Sequence, residues 1–81
     1  MSLALAEVAE GRHPSTQQIT RWFAHEHLPT GLPKHLSAIC GFMAVQVLTE
    51  LPDSPELVAG LRKLLEAKDA FVRAAIAAGE K

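Results

Sequence analysis

The sequence predicts an all-α fold in which short N-terminal helices precede a long antiparallel helical hairpin, the whole assembling as a homo-oligomer. Three observations lead there. Residues 55–79 read as one uninterrupted amphipathic helix. Pro33 opens another helical run to about Leu51, and Leu51-Pro52-Asp53-Ser54 makes a tight turn between the two. The earlier helix is apolar on two faces, more than so small a chain buries against itself.

The last helix has the clearest boundaries. Asp53 or Ser54 accepts a free backbone N–H, Pro55 suits a first helical position, and Glu56 meets the positive end of the helix dipole. No proline intervenes before Gly79, a C-terminal cap, so roughly 24 residues span about 36 Å. Leu57, Val58, Leu61, Leu64, Leu65, Val72, Ala75 and Ile76 form its apolar stripe. Lys68 falls within roughly 20° of the centre of that stripe. Two readings stand: its methylenes lie along apolar surface with the ammonium escaping or pairing with Glu50, or it is a cation kept near a pocket for an anionic ligand.

On the preceding helix Leu36, Ile39, Cys40, Met43 and Val47 share one face, and Phe42, Val45 and Leu48 share another. Small Ala38 and Gly41 border the second face and permit close backbone approach, so that face is expected to meet another subunit. Upstream, Ser2–Glu10 makes a short helix with Leu5 and Val8 on one side, ended by Gly11, an arm that docks or frays. Ser15-Thr16-Gln17-Gln18 matches a capping box and starts a helical piece to about His27. Ile19, Trp22 and Phe23 share one face of it, and Arg21 lies on the other. A pair of aromatics at that spacing is usually core; if one is a platform for a flat ligand it is Trp22, with its larger face and indole N–H. The segment HLPTGLP then reverses the chain. The boundaries are a single domain with an arm at 1–12, a first helix at 13–28 and the hairpin at 33–78.

Composition narrows the functions. A net charge of −1 and a pI near 6.4 provide no broad basic face, so no DNA partner is expected. A small anionic ligand needs only two or three placed cations. Cys40 is the single cysteine, and His13, His25, His27 and His35 lack metal-ligand spacing, so neither disulfide nor metal is expected. No apolar run approaches a membrane span and no signal peptide opens the chain, which points to the cytoplasm. No nucleophile comes with a base and an orienting acid, and no glycine-rich phosphate loop occurs, so no enzyme activity and no cofactor are expected.

The succession HPSTQQITRWF followed by LPDSPELVAGLRKLLEAKDAFVRAA resembles the phage anti-CBASS cyclic-nucleotide sponges, in particular the divergent branch from phages of actinobacteria, over about residues 13–78. The resemblance implies an N-terminal helix and a long hairpin assembled as a homo-oligomer, typically a hexamer. It implies binding of cyclic di- or trinucleotides without cleavage, in the cytoplasm of the bacterial host, so that the messenger does not reach immune effectors. Ile19-Thr20-Arg21-Trp22 puts Trp22 at the family's base-stacking aromatic. The family's phosphate-contacting lysine falls on Ser37, and Lys34 lies one turn earlier on nearly the same face. Pro55 stands where trinucleotide binders carry an arginine, which favours cyclic dinucleotides. The resulting binding set is Trp22, Lys34, Arg21, Arg12, Ser37 and Lys68. The alternative from another class is a helical homo-oligomeric protein-interaction module without a nucleotide ligand.

Overall fold

A computed structural model describes residues 3–24 and 31–79, and among them all regular structure is helical. Helices α1 (Leu3–Ala9), α2 (Pro14–Thr20), α3 (Leu32–Glu50) and α4 (Pro55–Gly79) follow in order, with a 3-10 turn at Arg21–Phe23 after α2. The last helix begins as its sequence directs. Ser54 Oγ accepts the Leu57 N–H at 3.0 Å, Pro55 occupies the first turn beside Glu56, and the helix runs 25 residues. Its length of about 37 Å sets most of the 43 Å long dimension of the molecule.

The start of α2 differs from expectation. Pro14 pre-sets the helical φ one residue ahead of the Ser15–Gln18 box, so the cap falls on His13, whose Nδ1 accepts the Ser15 N–H at 3.1 Å. Ser15 and Thr16 are already inside the helix. The α-helix also stops short of His27. Thr20 Oγ1 donates to the Thr16 carbonyl at 2.6 Å, the chain tightens into the 3-10 turn, and Ala24 is extended. His25, Glu26 and His27, and the first part of the HLPTGLP segment, lie outside the described residues. Gly31 leads into α3 at φ +123°, a conformation that requires glycine.

The chain turns through residues 51–54, so α3 and α4 run side by side in opposite directions, with Ala44 and Leu48 packed in one cluster with Leu57 and Leu61. Leu5 from α1, Ile19 from α2 and Phe23 from the 3-10 turn complete that core. Burying side chains of this size contributes about 1.5–3 kcal/mol each. Because α1 docks against α3 with Leu5 fully inside, the face of α3 expected to meet another subunit is largely used within the chain. Leu48 and Gly41 are buried and Val45 is half-buried against the core, leaving Phe42 exposed. Ile39 and Met43, expected to share an inner face with Cys40, are half exposed instead. The buried stripe of α3, Ser37, Cys40, Gly41, Ala44 and Leu48, thus runs between the two expected apolar faces and takes part of each, because the short N-terminal helix packs on the side of the second.

Candidate functional site

The 3-10 turn sets two aromatic neighbours in opposite directions. Phe23 is fully buried, whereas Trp22 is 57% exposed. A 3-10 turn separates consecutive side chains by about 120°, so an anchored Phe23 forces Trp22 outward. The Arg21 guanidinium carbon lies 5.6 Å from the Trp22 ring centroid, a cation–π contact that covers one part of the indole.

Beneath the turn, Lys68 Nζ donates to the Trp22 carbonyl at 2.8 Å and lies 3.5 Å from Asp69 Oδ1. Lys68 is only 8% exposed, so its charge is held inside by that carbonyl and by the neighbouring carboxylate. Its expected partner Glu50 lies at the other end: in an antiparallel pair whose cluster joins Leu48 to Leu57, Lys68 comes level with Ser37, about 20 Å from Glu50 along α3. Ser37 is fully buried and its hydroxyl has no hydrogen-bond partner among the described residues. Cys40 is buried one turn further along α3. Burial pushes its thiol pKa up, and the charge of Lys68 opposes that rise.

Trp22, Arg21, Lys68 and Ser37 therefore gather at one end of the α3/α4 pair. Lys34 stands one turn beyond Ser37, half-buried, and neither it nor Arg21 has a carboxylate partner among the described residues. Arg12 is set apart at the opposite end. Its Nη1 and Nη2 donate to the Leu48 and Leu51 carbonyls at 2.7 and 2.8 Å, and its Nε meets Asp53 Oδ1 at 3.0 Å. All three guanidinium nitrogens are occupied, closing the free C-terminal carbonyls of α3.

Asp53 is the residue whose part the sequence concealed. Its Oδ2 accepts the His13 N–H at 2.9 Å and its Oδ1 accepts the Thr16 hydroxyl at 2.8 Å, besides Arg12. The His13 N–H, then the Thr16 hydroxyl and Arg12, pull its pKa down to about 2 against a smaller opposing effect of desolvation. Two adjacent cap candidates, Asp53 and Ser54, were the available signal: one cap was surplus. Beside this clamp a cleft of about 500 Å³ opens between α2 and the start of α4, with Thr16, Val58 and Arg62 in its walls. Arg21 borders a shallower hollow between α1 and α2, next to Gln17 and Gln18.

Among the described residues no three His, Cys, Asp or Glu side chains gather as a metal site, and no helix is long and apolar enough to cross a membrane. No protein-family model matches the chain, and neither a curated protein nor a solved structure shows significant similarity to it.

Proposed function

We propose that this protein binds and sequesters a cyclic dinucleotide without cleaving it, blocking anti-phage signalling in the cytoplasm of a bacterial host. The observation that carries the reading is the single tryptophan, exposed on a turn whose backbone is pinned from inside by Lys68. An aromatic face held in place before the ligand arrives loses little entropy on stacking, which contributes about 1–3 kcal/mol per base. Arg21 and Lys34, without carboxylate partners among the described residues, supply charge-assisted contacts to phosphate. Arg12 has no part in it, since the Leu48 and Leu51 carbonyls and Asp53 already hold it. The chain acts as a homo-oligomer of helical hairpins, six subunits by the resemblance, and two subunits related by a twofold axis offer a cyclic dinucleotide two aromatic faces and paired cations. Trinucleotides are disfavoured by Pro55.

A thermal-shift screen of the purified protein against cyclic di- and trinucleotides tests this, since ligand at 100 times its Kd adds about 2.7 kcal/mol. A shift with a dinucleotide, lost in Trp22→Ala and followed by recovery of intact nucleotide from the denatured complex, is the expected result. The exposed apolar side chains of α3, Phe42 above all at 67%, favour the second reading, an interaction module without nucleotide. Unchanged melting with every nucleotide, together with a specific protein partner in pull-down, would select it.

A further inference from the structure

The hollow between α1 and α2 encloses about 710 Å³ and carries both signs of charge on its walls. Ala6 and Ala9 give it an apolar floor, Glu10 stands on the α1 side, and Gln17, Gln18 and Arg21 line the α2 side. Gln17 Nε2 donates to the Ala9 carbonyl at 3.1 Å, which ties the end of α1 to the middle of α2 and sets Glu10 beside Gln17. Arg21 follows one turn further along, about 6 Å on. Although opposite in charge, Glu10 and Arg21 form no ion pair with each other, and neither has an ion-pair partner among the described residues.

Glu10 gains nothing from its own helix. It follows Ala9 at the C-terminal end of α1, where the dipole is negative and a carboxylate is disfavoured. A carboxylate and a guanidinium held one turn apart suit a ligand that offers donors to the first and acceptors to the second across a single ring system. A bare phosphate does not meet that demand, since it satisfies Arg21 and is repelled by Glu10.

Among the nucleobases, guanine meets it. Its N1–H and N2–H are adjacent donors that match the two oxygens of a carboxylate, and its O6 and N7 are adjacent acceptors that match the guanidinium fork. Adenine sets its N6 amino group beside the N1 lone pair, so a carboxylate gains one bond and meets one repulsion, and its N7 neighbours a donor. Cytosine fails Glu10 in the same way, with its N4 amino group beside the N3 lone pair.

We propose that this hollow is a guanine site, with Glu10 accepting from N1–H and N2–H and Arg21 donating to O6 and N7, so that the sequestered dinucleotide carries guanine. The Arg21 guanidinium carbon is 5.6 Å from the Trp22 ring centroid, so a base whose edge Arg21 holds lies beside the indole platform and one ligand engages both. Two of the five N–H donors of Arg21 serve the base, and the others remain for phosphate. The inference rests on the cyclic-dinucleotide reading for its ligand class and adds the identity of the base.

Titration calorimetry of the full chain with cyclic di-GMP, cyclic di-AMP and GMP tests it. Cyclic di-GMP is expected to bind at least about 10-fold more tightly than cyclic di-AMP. Glu10→Gln is expected to weaken cyclic di-GMP about 10-fold and so erase the preference, with the Tm of the free protein unchanged because the side chain is exposed. Arg21→Lys, which keeps the charge and loses the fork, should reduce the preference as well. Equal affinity for the two dinucleotides, or a preference that survives Glu10→Gln, overturns the guanine site and leaves the sponge reading intact. GMP bound in preference to AMP, with no affinity for either cyclic dinucleotide, would sink the sponge reading and leave the guanine site standing. Absence of binding by both cyclic di-GMP and GMP overturns the guanine site outright.

Discussion

The two ends of the α3/α4 pair treat their polar groups in opposite ways. At the end near the turn, Arg12, Asp53 and Ser54 are matched: Arg12 closes two carbonyls of α3, Asp53 gathers an N–H, a hydroxyl and a guanidinium, and Ser54 caps α4. At the far end, polar groups are left over. Among the described residues the Ser37 hydroxyl is buried without a partner and Lys34 and Arg21 have no carboxylate, while the one tryptophan faces outward. A matched cluster contributes stability and has no capacity for a ligand; an unmatched one costs stability and keeps its donors free. The clamped end and the proposed recognition end are thus separated along the length of the molecule.

Substitutions at each end can break that contrast. The largest effect is expected from Arg12→Ala, which uncaps α3 and removes two charge-assisted bonds to carbonyls. A loss of about 2–3 kcal/mol should appear as a fall of roughly 10–20 °C in Tm, with the proposed nucleotide binding unaffected. If binding disappears while the fold survives, the two ends are not separable.

Lys68→Met keeps the packed methylenes, avoids burying a charge and removes the bond to the Trp22 carbonyl. About 1–2 kcal/mol is expected, read from urea denaturation, together with faster amide exchange confined to the 3-10 turn. Global loosening instead would make Lys68 part of the common core rather than a support for Trp22.

Acid should act at the clamp. Asp53 has a folded pKa of about 2, below its ordinary value of 3.8, so the unfolded chain takes up the proton first as pH falls. The stability that Asp53 contributes is therefore fully present above about pH 4 and drains away between about pH 4 and pH 2. Asp53→Asn should flatten the melting curve's pH dependence in that interval. A variant as acid-sensitive as the wild type would show that other carboxylates carry it.

The smallest change is expected from Ser37→Ala, within about 0.5 kcal/mol or slightly stabilising, because the hydroxyl it deletes has no partner among the described residues. A loss well above 1 kcal/mol would reveal a bond that makes this end as well matched as the other.

What the sequence disclosed follows the range of the interactions involved. Helix α4 was legible because Ser54, Pro55 and Glu56 act within a turn of its start and the stripe from Leu57 to Ala75 repeats at helical period. The start of α2 misled because an imidazole at His13, an unusual cap, took the role a Ser15 box advertises more conspicuously. The orientation of α3 was undecidable locally: both of its faces are apolar, and only the docking of α1 assigns them. Of the candidate site, Lys68 could be picked out by register and Trp22 by type alone, since helical register put Trp22 on one face with the buried Ile19 and Phe23 and only the 3-10 turn separates them. Arg12 could not be sorted from the phosphate-binding candidates, since its carbonyl partners lie 36 and 39 residues away. Asp53 was hidden for the same reason, 41 residues from Arg12 and 37 from Thr16.

The clamp at the turn also says which positions are free to drift. Arg12 recognises Leu48 and Leu51 through their carbonyls, which every amino acid carries, so the exposed residues 49–51 can be exchanged without the clamp registering the change as long as the helix end keeps its shape, while Leu48 is held by the core. Its third contact, with Asp53, is between side chains and has no such tolerance. Over generations of substitution, positions 12 and 53 should therefore change together or not at all, while Thr49 and Glu50, exposed on the stretch they secure, vary independently of both.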